Sequence, residues 1–172
     1  MSQDMLGVVA DIVTKLRNGS LTEEEAKRFA RRENPFNAEP PGLFNPATFI
    51  DKGWEVAGER KAVPDGFDPV KLKVVATPLK QGESYITGLE AKTRLVGQPL
   101  AGVEAFWRCW NDRDNLPKEL RSKIILFDGD ELRHPHGHRS SLYLHWLGGE
   151  WDWHYYWLDY DRHARCVSAL AS

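Results

Sequence analysis

Two successive glycines, Gly148-Gly149, separate two runs of alternating residues, Ser140 to Leu147 and Glu150 to Leu158. No other feature restricts the fold as much. A two-residue loop between alternating strands selects a type I′ turn, whose two central residues both need positive φ. The turn predicts a register. Leu147 opposes Glu150, Trp146 opposes Trp151, His145 opposes Asp152, Leu144 opposes Trp153, Tyr143 opposes His154 and Leu142 opposes Tyr155. A period of two then sorts the side chains onto two faces. One carries Leu142, Leu144, Trp146, Trp151, Trp153, Tyr155 and Trp157. The other carries Tyr143, His145, Leu147, Glu150, Asp152, His154, Tyr156 and Leu158. The aromatic face is expected in the core, with Trp153 against Leu144, because indoles bury large areas and an exposed stripe of that size invites association.

The same stretch concentrates the chemistry. All six histidines lie between His134 and His163, and four of the seven tryptophans lie between Trp146 and Tyr160. His145, Asp152 and His154 share the polar face, and a carboxylate opposite an imidazole fixes its tautomer and favours the imidazolium. As a functional set these three are a general base or a metal pair; as a structural one they are a cross-strand polar pair. His134, His136 and His138 alternate in Arg133-His-Pro-His-Gly-His-Arg139, and alternating imidazoles suit a divalent transition metal. Two flanking arginines, Pro135 and Gly137 oppose that reading. The following Arg139-Ser140-Ser141 also lacks the glutamate of a cupin motif.

Upstream, Met5, Val9, Ile12 and Leu16 recur at helical spacing, and Asn18-Gly19-Ser20 ends that helix. Thr22-Glu23-Glu24-Glu25 is a capping box opening a second helix, which Asn34-Pro35 closes. Residues 1–34 are therefore predicted as an αα-hairpin. Residues 35–46 hold Pro35, Pro40, Pro41, Gly42 and Pro46 with Phe36, Leu43 and Phe44, and read as a connector lying against a surface. Residues 47–172 are predicted as an α+β domain with a mainly antiparallel sheet ending in the Trp-rich hairpin. Within it, residues 71–77 and 123–127 read as strands, the second ended by Asp128-Gly129-Asp130. Residues 87–95 and 102–112 read as helices, and 116–120 as a short helical turn.

Composition closes off several classes. The 172 residues carry a formal net charge of −2, which leaves no global footprint for nucleic acid or an anionic membrane. Lys27, Arg28, Arg31 and Arg32 give the second helix a basic face, but Glu23, Glu24 and Glu25 occupy the end that would approach bases. No apolar run is long enough to span a bilayer. The start lacks the basic region of a signal peptide, and only Cys109 and Cys166 are present, so a reduced, cytoplasmic protein is expected. Gly-x-Ser-x-Gly, Walker and Gly-x-Gly-x-x-Gly motifs are all missing.

Four runs carry a resemblance. They are Asn18-Gly19-Ser20-Leu21-Thr22 through Arg28-Phe29 to Asn34-Pro35-Phe36, then Gly82-Glu83-Ser84-Tyr85-Ile86-Thr87-Gly88, then Pro117-Lys118-Glu119, and finally Trp157-Leu158-Asp159-x-Asp161. The chain resembles a group of small bacterial hypothetical proteins of uncharacterised function. In that group Thr and Trp often stand where this chain has Asp130 and Leu132, and the histidine loop is not one of its features. The resemblance implies no activity, cofactor or site residue. The sequence leads to a non-enzymatic binding or regulatory module acting on a protein partner. The alternative is a metal-dependent enzyme or metal-binding protein built on the histidine-rich segment.

Overall fold

The structure is a computed structural model and describes residues 44–45 and 53–171. The predicted hairpin 1–34 and most of the connector 35–46 lie outside the described residues. So does most of residues 48–54, whose sequence pattern is ambiguous. The described residues belong to one compact unit, Pro41–Ser172.

Its centre is the long strand β4 (Ile124–Arg133), between β5 (Arg139–Leu147) on one side and two short strands on the other. The main sheet runs β2 (Val74–Ala76), β8 (Cys166–Ala169), β4, β5, β6 (Glu150–Trp157), and β1 (Glu55–Ala57) also pairs with β4. All pairs are antiparallel except β4 with β8. A separate two-stranded ribbon joins β3 (Tyr85–Thr87) to β7 (Asp161–His163). Two α-helices complete the described part, α1 (Gly88–Arg94) and α2 (Val103–Asn111). The α+β expectation therefore holds, with a mainly antiparallel sheet that contains one parallel pair.

The β5–β6 hairpin has the register that its turn dictates, from Leu147 opposite Glu150 to Leu142 opposite Tyr155. Gly148 and Gly149 take φ of 62° and 99°, which only glycine adopts cheaply. The aromatic face meets α2. Phe106 sets its ring edge-on to Phe127 at 5.3 Å and to Trp153 at 6.2 Å. Trp153 does face Leu144, but it is half-buried; the deeply buried indole of the hairpin is Trp151. Phe44, from the Pro-rich segment, is fully buried beside Phe106 and Trp107. Its N–H donates to the buried carboxylate of Glu104 at 2.8 Å.

Asp128-Gly129-Asp130 does not end β4. It is an irregularity inside the strand, where pairing with β5 jumps from Phe127–Leu142 to Leu132–Ser140. Such a bulge inserts residues into one strand and re-aims its side chains. Asp128 turns to the polar face and meets Ser141 and Ser168. Asp130 instead accepts from the N–H of Val103, at the α2 start that Gly102 leaves without a side-chain cap, and from the N–H of Lys61. Between them, a Cβ on Gly129 would lie 2.5 Å from the Leu100 carbonyl. Composition alone makes Asp-Gly-Asp a turn; here two carboxylates serve opposite sides of one strand.

Of the other predictions, residues 71–77 shrink to β2, preceded by a 3-10 turn at Pro69–Lys71. The 87–95 and 102–112 helices appear as α1 and α2. Thr87 caps α1 by accepting from the Glu90 N–H at 3.2 Å. Arg94, at its other end, grips Glu83, and that hydrogen bond, with one from the Lys80 N–H, holds the Glu83 carboxyl down to about 2. The 116–120 turn is a 3-10 turn at Lys118–Ser122. Strands β1, β3, β7 and β8 carry too few residues to show a period.

Candidate functional site

The polar face of the sheet has a closed end and an open end. The closed end is built where the chain leaves β6, forms β7 against β3, and returns as β8 on the far side of β4. That path drops Arg162 onto the sheet. Its guanidinium donates twice to Asp128, at 2.8 Å from each terminal nitrogen, and both residues are almost wholly buried. Ser141 and Ser168 donate to the same carboxylate at 2.7 and 2.6 Å. Burial alone would push the Asp128 carboxyl up; Arg162 and the two hydroxyls outweigh it and hold the group below its usual range. The remaining Arg162 nitrogen, Nε, is packed against Gly88, where a Cβ would sit 3.0 Å away. Gly88 in turn donates its N–H to the Tyr160 carbonyl, and Leu89 to that of Leu158. The runs 82–88 and 157–161, seventy residues apart, are thus one structural unit.

The open end lies toward the Gly148-Gly149 turn. His145 Nε2 and Asp152 Oδ2 stand 3.7 Å apart, directly opposed as the register requires. That separation suits an ion pair when the imidazole is protonated and is too long for a hydrogen bond. The Asp152 side chain is 55% exposed. Its other oxygen accepts from the Trp153 N–H at 2.8 Å, and His154 Nδ1 accepts from the Tyr155 N–H at 2.8 Å. Tyr143 stacks on His154 with centroids 6.3 Å apart, and sets ring edges against His145 and Tyr156. Burial, then Asp152 and Cys166, push the Tyr143 hydroxyl up. Burial and the adjacent Cys166 push Tyr156 up to about 12, against the pull of Arg162. Both phenols therefore remain protonated donors at neutral pH. Tyr156 uses its proton on the Asp161 carbonyl at 2.6 Å. The strip offers imidazoles, phenol faces and one carboxylate, which is the chemistry of stacking and hydrogen bonding.

The histidine loop is elsewhere. Residues 134–138 join β4 to β5, and His145 lies seven positions along β5 from His138, about 23 Å. His134 Nδ1 accepts from the N–H of His136 at 3.1 Å, so one ring nitrogen is taken by the loop itself. His134 and His138 both set ring edges against Trp157. Trp54 stacks on Tyr155 at 4.1 Å and on Trp157 at 5.5 Å. The loop histidines thus border an aromatic stack, and His145 and His154 do not join them. Among the described residues, no three His, Cys, Asp or Glu side chains are placed to hold one metal ion.

The Asp128–Arg162 pair was not visible in the sequence, because its partners lie 34 residues apart and neither sits in a recognisable motif. Against family models, curated proteins and solved structures, the chain finds no match. Among the described residues no helix is long and apolar enough to cross a membrane.

Proposed function

We propose that the chain is a binding module that engages a protein partner through the open strip of Tyr143, His145, His154 and Tyr156, bordered by Asp152 and Leu147. The supporting observation is the half-exposed ring array itself, carried on a sheet whose other face is core. Leu147 extends it with an apolar side chain 60% exposed. Protein interfaces concentrate aromatic rings with polar tips around a few anchors, and a rigid sheet presents them at little entropic cost. Both cysteines are free and buried, which supports the reading of a reduced, cytoplasmic protein.

A photo-crosslinking residue in place of Tyr143, with the same residue in place of the exposed Tyr85 as control, tests this in cells. The expected result is a protein captured at 143 and not at 85, whose measured affinity falls at least about tenfold in Tyr143→Ala. Capture at neither position, or an affinity that the substitution leaves unchanged, overturns the proposal. A second reading, a divalent metal on the loop, is favoured by the 4.9 Å approach of the His134 and His136 rings. Elemental analysis of untagged protein separates the two.

A further inference from the structure

At the closed end of the polar face a carboxylate and a ring share one cation. The Arg162 guanidinium pairs with Asp128 and lies 5.8 Å from the centre of the Tyr156 ring. The open end has carboxylates and rings of the same kinds and, among the described residues, no such cation. Glu150 and Asp152 lie two positions apart on β6, on the face that carries Tyr143, His145 and His154. Neighbours of that kind stand about 7 Å apart. Both carboxylate residues are exposed. One Asp152 oxygen accepts from the Trp153 N–H, and the other has the His145 imidazole 3.7 Å away. Among the described residues neither Glu150 nor Asp152 pairs with a lysine or an arginine. β6 contains neither residue type, and the one arginine of β5, Arg139, sits at its far end on Glu131.

Taking the open strip as the surface that a protein partner meets, we propose that it receives an arginine side chain from a basic segment of that partner. The guanidinium lies against the Tyr143 and His154 rings, and its N–H groups donate to Asp152 and Glu150. A planar guanidinium can lay its face on a ring while its in-plane donors reach a carboxylate. An ammonium is a point charge that offers no flat face. The chain uses the same contact on its own rings. Besides Arg162, Arg121 lies 3.8 Å from the ring centre of Trp146 and Arg113 4.5 Å from that of Trp110. The Tyr143 hydroxyl is pushed up, so its ring stays neutral and adds no second charge to the carboxylates. Two exposed carboxylates beside the rings repel phosphate, which sets nucleic acid and anionic lipid aside as occupants. Charge complementarity thus selects a basic protein segment.

Titration of the isotope-labelled full chain with the peptide acetyl-Gly-Arg-Gly-Arg-Gly-amide, followed by NMR, tests this. Control peptides carry lysine or citrulline in place of both arginines; citrulline keeps the shape and loses the charge. Saturable shifts are expected at the His145 and His154 rings and at the Asp152 N–H. The arginine peptide is expected to bind at least about threefold tighter than the lysine peptide, and the citrulline peptide to give no response. Glu150→Gln with Asp152→Asn is expected to weaken the arginine peptide about fivefold or more. Near-UV circular dichroism of the tryptophans checks that this variant is folded, and the peptide series on the parent chain decides the matter if it is not. No saturable shift at these residues, equal affinity for the lysine or citrulline peptide, or a folded carboxylate variant that binds like the parent would each overturn the inference. Any of these results alongside a protein crosslinked at 143 removes the arginine and leaves the protein-partner reading standing, whereas no capture at 143 removes that reading itself.

Discussion

The two faces of the main sheet are made by the same strands and the same alternation, yet they are stabilised differently. On the aromatic face, Phe127, Leu142, Leu144 and Trp151 exclude water under α2 and Phe44, and rings meet edge to face. The apolar surface there gains from burial and shape decides how much, although the buried Trp151 indole N–H is left without a hydrogen bond. On the polar face, the closed end buries a charged pair whose worth depends on both members being present, while the open end keeps its charges near water, where they contribute little. The difference teaches that burial of a sheet face does not require an apolar face. It requires that the buried charge is matched, as the Asp128 carboxylate is by Arg162, Ser141 and Ser168, even though Arg162 Nε is left without a hydrogen bond.

Breaking the two faces should therefore give different mutational signatures. The largest effects are expected at buried positions. Phe106→Ala removes the ring that meets Phe44, Phe127 and Trp153, and should cost about 3–5 kcal/mol in urea unfolding. Arg162→Met should cost a similar amount, about 3–5 kcal/mol, because it strands the Asp128 carboxylate. The two part company in the double variant. Asp128→Leu with Arg162→Met removes the stranded charge and should recover much of that loss, whereas no partner substitution does so for Phe106. A double variant as unstable as Arg162→Met alone would show that the pair acts through shape.

Acid sharpens the same contrast. The Asp128 carboxyl is held below its ordinary value in the folded chain, so the unfolded chain binds the proton more readily. The stability this contributes is fully present above the unfolded value, near pH 4, and is lost as pH falls through the folded value. The melting temperature of the parent should therefore drop more steeply below about pH 4 than that of the same double variant, Asp128→Leu with Arg162→Met. Parallel curves would mean that Asp128 is not the group responsible.

Smaller effects are expected at the boundary between the faces and at the open end. Gly129→Ala places a methyl against backbone atoms of residues 100–102 and should cost about 1–3 kcal/mol, with loss of the Asp130 bond to the α2 start. Asp152→Asn should cost under about 1 kcal/mol, since its partner His145 lies 3.7 Å away and the carboxylate is mostly solvated. A loss as large as that of Arg162→Met would show that the open end is not open.

How far these features can be read in the chain depends on the range of the interactions. The β5–β6 register is legible because a two-residue turn is local: once Gly148-Gly149 takes positive φ, every opposed pair follows, including His145 with Asp152. The α1 cap is just as local, Thr87 and Glu90 being three residues apart, although the spacing alone counts Thr87 as part of the helix. Asp128-Gly129-Asp130 misleads because its composition favours a turn, while its neighbours in space override that preference. Among these are Arg162, Ser168 and the α2 start, all distant in sequence.

By itself the sequence determined the hairpin, its two faces and the place where histidines and aromatics accumulate, since period and turn chemistry act over a few residues. Only the tertiary structure decided that β8 lies parallel to β4 and that the chain crossing between them lays Arg162 on Asp128. That crossing divides the polar face into a closed end and an open one. Burying a charge pair is favourable only when the whole chain brings both partners to one point, and no local pattern encodes that meeting.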